Sequence, residues 1–281
     1  MVKSNGDVSP GDIFTTLRYN PALHGSFQDC RLSGESSFRP TGWYMFQFHL
    51  DRLQASAAQF QCMRPSPNKD HLAALDRELK GQFLNWHEPV KGDIADPAWR
   101  VRLVLDSMGG IQIDQVKPVA SLPCNVLYPE TLDPLSQLGN TLYELFLCPH
   151  PTTPSSFTRH KTALRDVYTA ARVACNLSAE PTADPVEVLV WNPDGELMEG
   201  SLTSVYCRRD GHWVTPATKC GGNEGTTRRW AIEMELCTEG PIMINDLIEG
   251  EILCISNGVR GFIYGIVRRQ FYDVSRRSGA S

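Results

Sequence analysis

Glu199, the glycine-rich turn at 221–225 and Thr226-Thr227 fall within one short stretch, and Lys161 lies upstream in His160-Lys161-Thr162-Ala163-Leu164-Arg165. A lysine amine attacks an aldehyde only once deprotonated, and partial desolvation or the positive end of a helix favours that state. Lys161 is expected to open an amphipathic helix. A carboxylate at a strand end, as the pattern predicts for Glu199, can hold a proton on a ring nitrogen. Free N–H groups at a helix start, with hydroxyls beside them, cradle a phosphate. Gly221-Gly222-Asn223-Glu224-Gly225 running into Thr226 and Thr227 predicts such a start. Lysine, acid and phosphate cradle, in that order, are the parts needed to hold and use pyridoxal phosphate.

Each part also has an ordinary reading. A lysine or a strand-end glutamate is usually a solvated surface group, and Thr226 could simply cap a helix after a glycine turn. Arg52, in His49-Leu50-Asp51-Arg52-Leu53, offers either a second phosphate contact or a solvated helix charge. Asn257-Gly258 offers backbone N–H groups to the same phosphate, or an ordinary hairpin turn. The nucleotide-binding pattern G-x-x-x-x-G-K-[ST] is absent from the sequence.

Composition narrows the class. The 281 residues allow one large core or two modest ones, with 41% hydrophobic and 21% charged residues as in an ordinary globular protein. A net charge of -5 argues against nucleic acid or an anionic membrane as partner. No apolar run approaches the roughly 20 residues of a membrane span. The opening MVKSNGDVSPGD lacks a signal core, so a cytoplasmic location is expected. Nine dispersed cysteines without a C-x-x-C pair predict reduced thiols, and the seven histidines show no metal-ligand spacing, so no metal is expected.

These residues need elements to position them. Strands are predicted over 12–19 and near Trp43–Phe48, then a helix from His49 with Leu50, Leu53, Ala57 and Phe60 on one stripe. A second helix carries Leu72, Leu75, Leu79 and Phe83, and strands over 99–105 and 111–119 flank a turn at 106–110. This reads as a small α+β domain, residues 1–120, followed by a proline-rich linker at 121–139. A larger C-terminal domain, 140–281, then carries the lysine. Its predicted strands are 141–148, 187–191, 197–199, 204–208, 212–214, 241–244, 253–256 and 262–267. Its predicted helices are 161–176, with Leu164, Val167, Tyr168, Ala171 and Ala174 inward, and 227–239.

Taken in order, F-T-T-x-R at Phe14–Arg18, H-x-x-R-L at His49–Leu53, H-K-T-x-x-R at His160–Arg165, E-G-S-L-T-S-V-Y at Glu199–Tyr206, T-P at Thr215-Pro216, G-T-T-R at Gly225–Arg228 and I-S-N-G at Ile255–Gly258 resemble the class IV (fold type IV) pyridoxal-phosphate enzymes. The likeness runs from about Gly11 to Val267. It implies a two-domain α/β (α+β) fold with a barrel-like C-terminal domain, the cofactor between the domains, and a homodimer. It implies Lys161 as the Schiff-base lysine and proton shuttle and Glu199 as the ring-nitrogen partner. Arg52, Thr226 and Thr227 are implied as phosphate ligands, with Asn257 and Gly258 nearby. Many members have asparagine where this chain has Ser204, and Gly-Asn-Glu-Gly replaces more usual apolar residues before the G-T-T-R turn.

Within that family, Phe14-Thr15-Thr16 and the H-K-T-x-x-R-x-x-Y form ending at Tyr168 are similar to the 4-amino-4-deoxychorismate lyases. The resemblance therefore implies elimination to 4-aminobenzoate and pyruvate, in folate synthesis. Thr15 is a candidate contact near the leaving group. Arg100 and Arg102 are candidates for a substrate carboxylate, with one of the two expected to face it. The alternatives are an aminotransferase for a branched-chain amino acid, a D-amino acid or an (R)-amine, and a silent binding protein of the same fold.

Overall fold

The computed structural model describes residues 12–20, 23, 42–60, 98–105, 111–134 and 142–269. The predicted helix around Leu72–Phe83 and the turn at 106–110 lie outside them. The chain divides into two compact units: one comprises residues up to Tyr128 with Lys161–Ala163 and Gly258–Arg260, the other Pro129–His160, Leu164–Asn257 and residues from Gly261 onward.

The first unit is built on an antiparallel sheet in the order β1 (Ile13–Tyr19), β2 (Ala98–Leu105), β3 (Ile111–Val119). Alternation puts Leu17, Val101 and Leu103 into a core with Trp43, Phe46 and Leu50. Helix α1 (Phe46–Gln59) buries Leu50, Leu53 and Ala57 on the expected stripe. The strand expected near Trp43–Phe48 does not form. Trp43 makes one isolated bridge to Tyr19, Met45 turns the chain at φ 52, and the helix starts at Phe46. Phe46, Leu50 and Leu53 extend the helical spacing backward, so burial overrides the strand preference of the aromatic run.

This unit continues past residue 120 to Tyr128, through part of the segment expected to be a linker. A short helix, α2 (Cys124–Leu127), is tied in by the Tyr44 hydroxyl, which donates to the Leu127 carbonyl at 2.7 Å. The Tyr44 and Tyr128 rings pack edge-on at 5.2 Å. Lys161 also belongs here, not with the C-terminal residues around it. Thr162 bridges Ile13, the Phe14 N–H donates to the Lys161 carbonyl at 3.2 Å, and the Ala163 N–H donates to the Asp12 carbonyl at 2.8 Å. An extended backbone paired to β1 cannot also be helical. The helix expected from Lys161 therefore starts only at Asp166, and the lysine does not sit at its N-terminus.

The second unit is a curled eight-stranded mixed sheet. In chain order its strands are β4 (Tyr143–Leu147), β5 (Val186–Trp191), β6 (Leu197–Gly200), β7 (Ser204–Arg209), β8 (His212–Pro216), β9 (Thr238–Gly240), β10 (Ile252–Asn257) and β11 (Gly261–Arg268). Their spatial order is β6-β5-β4-β11-β10-β7-β8-β9. Leu145 and Leu189 enter one core cluster, whereas Phe146, Val188 and Val190 enter another with Tyr168 and Ala171. A sheet buried on both faces explains the near-continuous apolar run of β5. The helices here are α3 (Ser156–Arg159), α4 (Asp166–Ala174) and α5 (Thr226–Glu233). Val167, expected inward, is 40% exposed, while Tyr168 and Ala171 form the buried face of α4. Helix α5 stops well before residue 239. Glu235 adopts φ 57, and the Leu236 N–H closes back onto the Ala231 carbonyl at 2.9 Å. That left-handed cap frees residues 238–240 to pair with β8 instead.

Candidate active site

Glu199 sits near the end of β6, opposite Val190 of β5, and is only 8% exposed. The Tyr168 hydroxyl from α4 donates to its Oε1 at 2.5 Å, and the Asn223 N–H donates to the same oxygen at 3.1 Å. Burial, and then the charge of Glu199, holds the Tyr168 phenol well above its ordinary pKa, so it stays a donor. Gly222 lets the turn come this close: a Cβ there would lie 2.6 Å from the Met198 carbonyl oxygen. Tyr168 was legible in the sequence as an inward helix position and as the last residue of the H-K-T-x-x-R-x-x-Y form, and Asn223 only as a turn residue.

Behind the acid, Glu187 of β5 is 1% exposed. It accepts from the Val188 N–H at 2.8 Å, the Ser201 hydroxyl at 2.6 Å, the Leu202 N–H at 3.1 Å and the Thr203 hydroxyl at 2.9 Å. One carboxylate thus fixes the turn that follows Glu199. Glu187→Ala strands these donors and is expected to cost about 3 kcal/mol or more of stability, read by urea unfolding, since each buried unsatisfied group costs about 1–3 kcal/mol. A loss below about 1 kcal/mol would mean the turn is held by other contacts.

The helix start predicted at Thr226 is present. Thr226 and Thr227 open α5 and are 1% and 0% exposed. Thr226 Oγ1 is buried with no hydrogen-bond partner among the described residues. Thr227 Oγ1 accepts from the Ser256 hydroxyl at 2.7 Å, which in turn meets the Tyr206 hydroxyl at 2.8 Å. Ser256 brings the end of β10, and with it Asn257, beside the helix start. Asn257 Nδ2 donates to the Leu202 carbonyl at 3.2 Å. Gly225 is matched to Ser204, because a Cβ on it would lie 2.3 Å from Ser204 Oγ. A buried, unpartnered hydroxyl beside free helix N–H groups suits an anion.

Lys161, Arg52, Thr15, Arg100, Arg102 and Gly258 belong to the first unit. The Lys161 Nζ and the Arg102 guanidinium carbon lie 5.1 Å and 4.0 Å from the centroid of the Phe14 ring. Thr15 is 0% exposed, and its hydroxyl accepts from Arg52 at 2.5 Å. It also hydrogen-bonds His49 Nδ1, 2.7 Å away. Burial first, then the charges of Arg52 and Lys161, hold His49 well below its ordinary pKa, so it is neutral. Thr15 therefore orients Arg52. Alternation puts Thr16 on the Phe14 face instead, directly across from Arg102. Arg100 and Arg102, two residues apart, share that face, so the expectation that one of them faces away is corrected. Asp114 pairs with Arg102 at 3.1 Å. The parity of Phe14-Thr15-Thr16 was the available signal that Thr15 and Thr16 lie on opposite faces of the sheet.

Among the described residues, no group of three His, Cys, Asp or Glu side chains could hold a metal ion, and no helix is long and apolar enough to cross a membrane. The seven cysteines among them are free thiols.

The amino-transferase class IV family model matches residues 37–264. An aminodeoxychorismate lyase of Saccharomyces cerevisiae is 29% identical over 256 residues, covering 82% of this chain and 68% of that protein. The fold is similar to that of a Mesorhizobium loti protein assigned provisionally as an amino-acid aminotransferase, with TM-score 0.63, 23% identity and coverage of 92% and 99% of the two chains. It is also similar to a hypothetical aminotransferase from Mycobacterium tuberculosis in its PLP-bound form, with TM-score 0.59, 15% identity and coverage of 96% and 86%. With a family match over most of its length and the fold of solved members, the chain belongs to the class IV amino-transferase family.

Proposed function

We propose that the protein is a pyridoxal-phosphate enzyme that cleaves 4-amino-4-deoxychorismate into 4-aminobenzoate and pyruvate. The observation that carries this reading is the face around Phe14: it presents Thr16, Arg100 and Arg102, a hydroxyl and two cations. A branched aliphatic substrate would call for apolar residues there, whereas an anionic, oxygen-rich one is matched by these. The yeast relative, a lyase by name, supports the same choice.

The residues fit the cofactor. The unpartnered Thr226 hydroxyl, the start of α5 and the Thr227–Ser256 pair offer donors to a phosphate, and Arg52 would add a charge-assisted contact. Lys161 would bond the aldehyde, and Glu199 would face the pyridine nitrogen. When bound, pyridoxal phosphate supplies an electron sink for charge on the carbon bearing the substrate nitrogen. Lys161 would take the proton from that carbon through its Nζ. Glu199 would hold a proton on the pyridine nitrogen, and Tyr168 and Asn223 keep its Oε1 in place. Thr15 and His49 fix Arg52. Expulsion of the enolpyruvyl arm makes the carbocycle aromatic, so the chain need only orient the substrate and move the proton.

Purified protein given aminodeoxychorismate, with no keto acid added, should release pyruvate and 4-aminobenzoate in equal amounts. Strict dependence on a keto-acid acceptor would instead identify an aminotransferase. A protein with no visible absorbance that borohydride bleaches would be the silent binding protein.

A further inference from the structure

Cationic side chains crowd one face of the first unit. Arg18 stands directly across from Arg100, and Thr16 across from Arg102, in the β1–β2 ladder. Cross-strand partners share a face, and residues two apart along a strand do too. Arg18 reaches beyond the sheet: its Nε donates to the Val259 carbonyl at 2.5 Å and one terminal nitrogen donates to the Ala120 carbonyl at 2.8 Å. The first of these bonds pins the segment Gly258–Arg260 to the corner where Arg18 and Arg100 meet. Arg100 registers the arrangement. Burial lowers its pKa first, and the charges of Arg102 and Arg260 lower it further. Farther along the same face, Arg102 and Lys161 both approach the Phe14 ring.

Half-buried like charges disfavour one another, and an anion joining them removes that cost. One carboxylate is satisfied by one guanidinium in a two-pronged bond. Asp114 already pairs with Arg102 at 3.1 Å, and Arg100 and Arg260 add two further guanidinium charges beside that pair. We propose that Arg260 joins Arg100 and Arg102 in binding the substrate through two separate carboxylates, which selects dicarboxylic amines over ordinary amino acids. This rests on the lyase reading above: 4-amino-4-deoxychorismate carries one carboxylate on its ring and another on its enolpyruvyl arm, whereas branched-chain amino acids carry one.

Arg260→Ala and Arg260→Lys are compared with the parent holoenzyme, with the visible absorbance of bound cofactor as the check that each variant is folded. In turnover, Arg260→Ala raises KM for aminodeoxychorismate about 10- to 100-fold, as the loss of one charge-assisted contact implies, with kcat little changed. Arg260→Lys recovers part of this, because it keeps the charge but not the fork. Calorimetric titration with benzene-1,3-dicarboxylate and with benzoate reads recognition apart from chemistry. The parent prefers the dicarboxylate, and Arg260→Ala loses that preference while benzoate affinity holds. A parent without the preference, or a variant that weakens both ligands equally or neither, overturns the proposal. If the parent releases no pyruvate, the lyase reading fails, and the titrations still decide the dicarboxylate site alone.

Discussion

Lys161→Ala is expected to lower turnover by on the order of 10⁴-fold or more while leaving the fold intact. Proton transfer by a positioned side chain is worth about 10²–10⁴-fold on its own, and the covalent attachment of the cofactor proposed for Lys161 would be lost with it. The fold survives because this segment is held by its backbone. The Phe14 N–H bonds the Lys161 carbonyl at 3.2 Å, the Ala163 N–H bonds the Asp12 carbonyl at 2.8 Å, and the buried side chain is that of Thr162. Pyruvate release, thermal unfolding and borohydride trapping on the same preparation separate lost chemistry from lost structure. A folded variant that keeps more than about a hundredth of parental turnover would remove Lys161 from the reaction.

Glu199→Gln should slow proton abstraction on the order of 10²-fold or more, the scale of removing one preorganised electrostatic contact. The geometry makes this a clean substitution. Tyr168 and Asn223 both donate to Oε1, and a glutamine carbonyl oxygen can accept both without moving. What disappears is the negative charge that, on the proposed reading, would keep the pyridine nitrogen protonated. The variant should therefore bind pyridoxal phosphate, as read by its absorbance, yet show a larger deuterium isotope effect at the carbon bearing nitrogen as that step becomes limiting. An unchanged rate would place the electron-sink partner elsewhere. Tyr168→Phe is a useful companion, since it removes one donor to Oε1 but leaves the charge.

The order of motifs along the chain was enough to indicate the family, because each motif is local: a helix start after glycines, an acid closing a strand, an alternating Phe-Thr-Thr. Thr226 and Thr227 do open a helix, and Glu199 does end a strand in a buried position. Spacing alone also located nearly every strand of the larger sheet. Other features depended on contacts between residues far apart in sequence. Whether Lys161 begins a helix or lies extended was decided by pairing with β1, nearly 150 residues upstream. The end of α5 was decided by the claim of β8 on residues 238–240. Thr15 and Thr16 are chemically identical, and only the side of the sheet on which α1 packs makes one an anchor for Arg52 and leaves the other facing Arg102. Local propensity fixes which conformations a segment can adopt cheaply, whereas burial and partner geometry, worth more per residue, choose among them.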